Sequence, residues 1–213
     1  MEAQLDPPSE PRITGKRAHA KEQNRRIILD AARRVFAQLG YNGTTVRDVI
    51  RATPLASGTF YNYFRSKEEV FQAMRDETAL ALRPVLREAR LKAETAEAFV
   101  SETFRAFFGY VASSRANLGA IQRSDVVHVR VDTPEVLAGF EELRADLEAA
   151  IERGLFARID AECLTASIVG IAFEMAALLQ RRETFGSEEA TRFATGLVMG
   201  GLAALPAREN GIG

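Results

Sequence analysis

Apolar residues recur along almost the whole chain at the spacing of an amphipathic α-helix, and nowhere do they alternate with the period of two typical of a β-strand. The first such segment is a predicted helix over 21–39, whose apolar face carries Ile28, Ala31, Ala32, Val35, Phe36 and Leu39. Gly40 follows directly, in the position where a glycine commonly ends a helix. Repeated to the C-terminus, this pattern predicts an all-α protein of about nine helices.

Composition excludes several classes of protein. Of the 213 residues, 46% are hydrophobic and 27% are charged, the balance of a globular chain with a substantial core. Charges interrupt the apolar stretches before 18 residues, and the first residues do not resemble a secretory signal. A single cysteine and two histidines argue against an internal disulfide and a zinc site. We therefore expect a cytoplasmic protein with no cofactor, no metal and no membrane contact.

Charge is divided unevenly along the chain. Residues 12–66 hold 11 Lys and Arg but only 3 Asp and Glu, whereas residues 67–213 hold 17 against 23. A basic head on an acidic body indicates that the head meets a polyanion. Segregation of surface charge by chance is the open alternative at this point.

Short helices joined by tight turns are predicted within the basic segment. Residues 45–48 have the form of a capping box with Thr45 as N-cap, and Pro54 ends the helix that they begin. A third helix is predicted over 57–63, and a second capping box at 66–69 begins a long helix. This arrangement is typical of a helix-turn-helix.

The same residues resemble the DNA-binding domain of the tetracycline-repressor (TetR) family of bacterial regulators. The matching residues are Phe36, Gly40-Tyr41, Thr44 to Val49, Gly58 to Phe64, and Lys67-Glu68. The resemblance covers about residues 20–70. It implies a disordered basic arm over 1–18, a helix-turn-helix DNA-binding domain over 19–66, and a helical effector-binding and dimerisation domain over 67–213.

By this resemblance, the third helix is the recognition helix. Its implied phosphate contacts are Thr59, Tyr61 and Tyr63, and its implied base contacts are Ser57 and Asn62. Gly58 would let the backbone approach the duplex. Phosphate contacts position such a protein, whereas base contacts specify the sequence.

Three further DNA contacts are implied outside that helix. Thr45 lies at a helix N-terminus, which can hold a phosphate in addition to its cap. Arg47 can reach a guanine edge or a phosphate, although it could also be simply solvated. Lys67 matches the family's phosphate-contacting lysine.

The sequence departs from the family pattern in the turn before the recognition helix. The family usually has Ala-Gly-Val-Ser, and this chain has Thr53-Pro54-Leu55-Ala56. Proline cannot adopt the positive φ that glycine allows, so we expect a locally different turn. Ala56 also removes a hydroxyl cap, for which Thr53 or Ser57 could substitute.

The basic arm has two open interpretations. Its cations could contact the DNA backbone or the minor groove, or they could be merely solvated; they are Lys16, Arg17, Lys21, Arg25 and Arg26.

The last two predicted helices are apolar on more than one face, which is typical of helices buried against a second subunit. A homodimer agrees with the family and would place two recognition helices on a near-palindromic operator. The residues expected at this interface are Ile168, Ile171, Met175, Leu178, Phe193, Leu197, Val198 and Leu202.

Phenylalanines are concentrated in the body and suggest a pocket for a small apolar effector, fatty acyl or aromatic. The candidate lining residues are Phe104, Phe107, Phe108, Phe140 and Phe173, with Arg123 and His128 as polar groups. A closely packed core is the alternative interpretation of the same residues.

The functional prediction is therefore a homodimeric repressor that leaves its operator when an effector binds. An enzyme is not expected, because no nucleophile is paired with a base. The alternative kept open is a TetR-like protein that acts through protein partners or without specific DNA binding.

Overall fold

The computed structural model describes residues 13–113 and 133–205, with side chains from Arg17 onwards. These residues form eight α-helices and no strand, which confirms the all-α prediction. The helices are α1 (Ile13–Gly43), α2 (Val46–Arg51), α3 (Ser57–Tyr61), α4 (Lys67–Leu91), α5 (Ala96–Ser113), α6 (Pro134–Glu152), α7 (Ala161–Arg181) and α8 (Ser187–Ala204). Arg123 and His128, the predicted polar groups of the effector pocket, lie outside the described residues.

Helix α1 begins earlier than the sequence indicates. It starts at Ile13, so residues 13–18, which we had assigned to a disordered arm, are helical. Alanine, lysine and arginine, which are frequent in this stretch, are strong helix formers. At its other end Gly40 has a φ of 71°, a conformation that interrupts the helix as predicted. Leu39 is 52% exposed rather than buried, because the apolar stripe of α1 runs past the elements that cover it.

The first four helices enclose a small core of their own. Phe60 and Phe64 point inward and are 1% and 6% exposed. The first turns of α4 belong to this core as well, so α4 is shared between the head and the body. The core residues are Ile28, Leu29, Ala32, Val35, Phe36, Val49, Phe60, Phe64, Val70, Phe71, Ala73 and Met74.

Helix α4 continues through Pro84 to Leu91 and is not divided there. Proline removes a hydrogen bond to the carbonyl four residues earlier, that of Leu80. Both Leu80 and Pro84 are exposed, so water can satisfy that carbonyl.

The body is built around a second core, to which α5, α6, α7 and α8 all contribute. Its largest fully buried side chains are Phe99, Phe104, Phe108, Leu147 and Leu179. An ion pair between Arg90 and Asp146, at 2.7 Å, joins α4 to α6 at the edge of this core.

Among the described helices, α7 alone is long and apolar enough to cross a membrane, with a mean hydropathy of 1.7 over its best window. It meets this criterion although Glu174 interrupts its apolar stretch. The core helix of a folded domain meets the same criterion, and Leu164, Ile168 and Leu179 of α7 are buried in the body core.

Candidate nucleic-acid interface and ligand cavity

The predicted capping box of α2 is present. The Thr45 hydroxyl oxygen accepts a hydrogen bond from the Asp48 amide at 3.3 Å, and the Thr45 amide donates to the Asp48 carboxylate at 2.9 Å. The hydrogen bonds from the Thr45 side chain and backbone hold the pKa of Asp48 below its usual value. Arg47 projects from the first turn of this helix and is exposed.

The unusual turn is built without any residue of positive φ; within the described ranges only Gly40 and Gly154 have one. Thr53 donates a hydrogen bond from its hydroxyl to the carbonyl of Ile50 at 2.8 Å and accepts one from the Leu55 amide at 3.2 Å. Thr53 therefore stabilises the turn, and Ala56 leaves α3 without a side-chain cap of its own. Helix α3 ends at Tyr61, two residues before the predicted end.

Helix α3 presents its predicted contact residues to the outside. Ser57, Gly58 and Asn62 are exposed, Tyr61 is 55% exposed, and Thr59 and Tyr63 are half-buried. The Tyr61 ring stands edge-on to the buried Phe60 ring, with centroids 5.5 Å apart. This contact with Phe60 supports the Tyr61 side chain at the surface.

Gly58 faces open space. No heavy atom lies within 4 Å of the position that a Cβ would occupy there. The chain is thus free of obstruction at the point where the resemblance implies a close approach to the duplex.

Lys67 has a structural role that sequence analysis missed. Its ammonium group donates to the carbonyl oxygens of Tyr41 and Thr44, at 2.9 and 3.1 Å, and lies 4.5 Å from the centre of the Tyr41 ring. The Tyr41 carbonyl belongs to the last turn of α1 and Thr44 follows directly after it, a place where the helix dipole favours a cation. Two of the three ammonium protons are therefore used inside the head, and one is left for a phosphate.

Tyr41 completes this junction on the other side. Its hydroxyl donates to Glu68 at 3.0 Å. Burial and this hydrogen bond to a carboxylate raise the pKa of Tyr41 to about 12. The start of α4 is thus held to the end of α1 by Lys67 and Glu68 together.

A cavity of about 240 Å³ lies in the body between α4, α5, α6 and α7. Four of the predicted lining residues meet there: Phe104, Phe107, Phe140 and Phe173. Phe173 stands between Phe107 and Phe140, with ring centroids 6.0 and 6.1 Å away.

Phe108, in contrast, does not line the cavity and is a correction to our expectation. It is fully buried and stacks behind Phe104, with centroids 5.5 Å apart and ring planes 7° apart. One helical position separates Phe107 from Phe108, and only the former faces the open space.

Sequence analysis missed the α4 side of the cavity. This helix contributes an apolar strip and three arginines, namely Met74, Thr78, Leu82 and Leu86 with Arg75, Arg83 and Arg90. The positions 75, 83 and 90 are spaced by about two turns, a signal that could have placed them on one face.

The charges on this wall are compensated. Arg83 donates to Glu142, an ion pair that raises the pKa of the guanidinium and lowers that of the carboxyl, and Arg90 pairs with Asp146. The hydroxyl of Tyr110, which also lines the cavity, makes no hydrogen bond with any other described residue. The cavity is thus mainly apolar, with a few polar groups at its edge.

The residues expected at a dimer interface divide into two sets. Phe193 and Leu197 on α8 are 61% and 54% exposed. Ile171, Met175, Leu178 and Leu202 are half-buried. Ile168 and Val198 are corrections, because at 3% and 6% exposure they pack into the subunit's own core and have little area left for a partner.

Comparison with known proteins places the head in a family. The model of bacterial regulatory proteins of the tetR family matches residues 28–74, which begin in α1, include α2 and α3, and end in the first turns of α4. Residues 28–74, in the head of this chain, are thus similar to the regulatory proteins of the tetR family. This match confirms the resemblance drawn from about residues 20–70.

A curated relative supports the same assignment for the head. An HTH-type transcriptional regulator of Haemophilus influenzae is 31% identical over 103 residues, which are 48% of this chain and 50% of the relative. The chain thus spans about half the length of this relative.

Solved structures share the fold of almost the whole chain. FadR of Bacillus halodurans, a fatty acid degradation regulator, matches with a TM-score of 0.71 and 23% identity, covering 87% of this chain and 97% of that one. FadR of Bacillus subtilis, solved with stearoyl-CoA, matches with a TM-score of 0.69 and 22% identity, covering 83% and 98%. At this level of identity the likeness shows the fold: an N-terminal helix-turn-helix domain followed by a larger helical domain.

Proposed function

We propose that this chain is a tetR-family regulator, a homodimeric, sequence-specific DNA-binding repressor that leaves a near-palindromic operator when a small apolar effector binds. The observation that carries the proposal is the surface of α3. This short helix fixes its inner side with Phe60 while exposing Tyr61 and Asn62 to the outside. Two such groups beside a basic segment match a surface that contacts phosphates and base edges.

The electrostatics of the head support a nucleic-acid partner. Arg47 on α2 is exposed and has no ion pair with a described residue, so its charge is available to a guanine or a phosphate. Lys67 keeps one ammonium proton, and Thr45 lies at the exposed N-terminus of α2. Together with Thr59, Tyr61 and Tyr63 they form a polar, cationic surface of the kind that phosphate contacts require.

Dimerisation would duplicate this surface. The exposed side of α8 carries Phe193 and Leu197, separated by one helical turn, and glycines 196, 200 and 201 on the same side would allow close approach of a second helix. An isologous pair formed through α7 and α8 would present two α3 helices related by a two-fold axis.

The cavity is the proposed effector site. Its volume of about 240 Å³ lies below the usual range for pockets that enclose a drug-sized ligand, about 300–1,000 Å³. It suits an aromatic group or part of an acyl chain. The FadR structure with stearoyl-CoA makes a fatty acyl effector the first candidate, and the phenylalanine walls are equally compatible with an aromatic one.

Binding to a duplex taken from upstream of the protein's own gene tests the proposal. We expect wild-type protein to bind it more tightly than a scrambled duplex at 0.15 M salt. Tyr61→Ala should weaken binding about tenfold per subunit, the equivalent of one lost contact worth about 1.4 kcal/mol in each half of the complex. Tyr110→Phe, a matched change at a tyrosine of the body cavity, should leave duplex binding unchanged.

The same complex tests the effector. Stearoyl-CoA as the acyl probe, or resorcinol as an aromatic probe, should lower the affinity for the upstream duplex. The size of this effect can then be compared between Tyr110→Phe and wild type. Equal affinity for both duplexes would favour the alternative, a tetR-family protein acting through protein partners. Unchanged affinity with every apolar probe would contradict the effector part alone.

A further inference from the structure

We infer that the N-terminal extension of α1, residues 17–23, is a second duplex-binding element that contacts phosphates beyond those reached by α3. This inference rests on the proposed function, since it adds a surface to the same complex. It assigns a partner to the cations for which the sequence leaves two interpretations open.

The extension is a helix that packs against nothing in the described structure. All seven side chains from Arg17 to Gln23 are exposed. Because these residues continue a helix of 31 residues, their side chains are held in a helical arrangement that remains open to a partner. Its one acidic residue, Glu22, leaves a net positive charge.

The cations of the extension continue the buried face of α1. Residues 17, 21 and 28 are separated by four and seven positions, so they lie on one stripe of the helix. The stripe is apolar where the head covers it, at Ile28, and cationic where the cover ends, at Arg17 and Lys21. The partner expected along the uncovered part is therefore anionic.

Arg25 shows where this stripe leaves the protein. It donates to Glu77 of α4 at 2.6 Å, and its guanidinium lies 5.9 Å from the centre of the Phe64 ring, just after α3. Arg25 is thus held by the protein itself, beside the end of the recognition element. Lys21 and Arg17 lie one and two turns further out, respectively, and neither has an ion pair with a described residue.

The extension has the length that a duplex contact needs. Eight residues separate Arg17 from Arg25, a rise of about 12 Å at about 1.5 Å per residue. The major groove is also about 12 Å wide. Arg17 therefore lies about 12 Å beyond Arg25 along the helix, a distance comparable to the width of the groove that α3 is proposed to enter. Point charges such as these would bind phosphates without reading bases.

The test compares the full-length double variant Arg17→Ala/Lys21→Ala with wild type on the upstream duplex over a range of salt concentrations. Loss of two phosphate contacts per subunit should make the slope of log affinity against log salt shallower by about 1.8 per subunit, and should lower affinity about tenfold or more at 0.15 M salt. Alanine preserves the helix, so circular dichroism and the melting temperature should not change.

The control is Arg87→Ala/Arg153→Ala, which removes the same formal charge from exposed positions of the body. Its slope should stay within about 0.5 of the wild-type value. If the two double variants have equal slopes, or if the first has the wild-type slope, the inference is wrong. If wild-type protein binds neither duplex, the proposed function itself fails, and the inference fails with it.

Discussion

At the scale of single residues, local sequence patterns predict local contacts well. Thr45 and Asp48 lie three residues apart, and their reciprocal hydrogen bonds depend on that spacing alone. Lys67 is different, because its partners are backbone carbonyls 26 and 23 residues earlier. Every residue has a backbone carbonyl, so residue types do not show which carbonyls a distant lysine will reach. The second role of this lysine could therefore not be predicted.

Lys67 is expected to serve both the fold and the duplex. Lys67→Met keeps the aliphatic part of the side chain and removes two hydrogen bonds from a charged donor. Because the residue is half-buried, we predict a loss of about 1.5 kcal/mol in the free energy of unfolding, the lower end for such bonds. If its third proton also holds a phosphate, the salt slope of duplex binding should fall by about 0.9 per subunit.

The matched control is Lys92→Met at the other end of α4. Lys92 makes only an exposed pair with Glu88, for which about 0.5 kcal/mol or less is expected. Denaturant unfolding measures both variants. Equal stability of the two would contradict the junction described for Lys67, and an unchanged salt slope would remove Lys67 from the DNA contacts.

At the scale of helices, the apolar period fixes which segments are helical but not where each one ends. The position of each helix end depends on the neighbouring elements that pack against it. Helix α1 extends past the head core at both ends, and α3 ends at Tyr61 in a turn where the amides of Tyr63 and Phe64 both donate to the Phe60 carbonyl. Pro84 lies on the exposed side of α4, where a missing hydrogen bond can be replaced by water.

The contact between α1 and α4 is where the head could respond to the body. Glu77 accepts hydrogen bonds from Arg25 and Arg33, at 2.6 and 2.5 Å, and lies between Met74 and Thr78, which line the cavity. A ligand that displaces this part of α4 would move Glu77 and, through the two arginines, α1. This link joins the two sites by named contacts.

Glu77→Gln tests that link. Each ion pair is about one-third exposed, so we predict a loss of only about 1 kcal/mol in the free energy of unfolding. The effect of stearoyl-CoA on duplex affinity should shrink, because the effector acts only through the difference between two conformations. Glu88→Gln, on the same helix but paired only with Lys92, is the control. The same effector response in both variants would contradict the link.

At the scale of the whole molecule, the chain forms two cores joined by α4, with a cavity in the larger one. The sequence indicates that α7 and α8 are apolar on several sides, but periodicity does not say which side a subunit buries by itself. Ile168 and Val198 are therefore inside, while Phe193 and Leu197 remain outside. The same limit explains why Phe107 lines the cavity and Phe108 does not.

The central claim is that two copies of the head bind one duplex. Hydroxyl-radical footprinting on the upstream duplex tests this claim most directly. Wild-type protein should protect two patches of backbone related by a dyad, about one helical turn or slightly more apart, near 34–36 Å. Leu197→Glu should give a monomer in sedimentation and lose this pattern, whereas Leu137→Glu, an exposed leucine on α6, should keep it. A single protected patch from wild-type protein, or a monomer that protects both patches, would contradict the account.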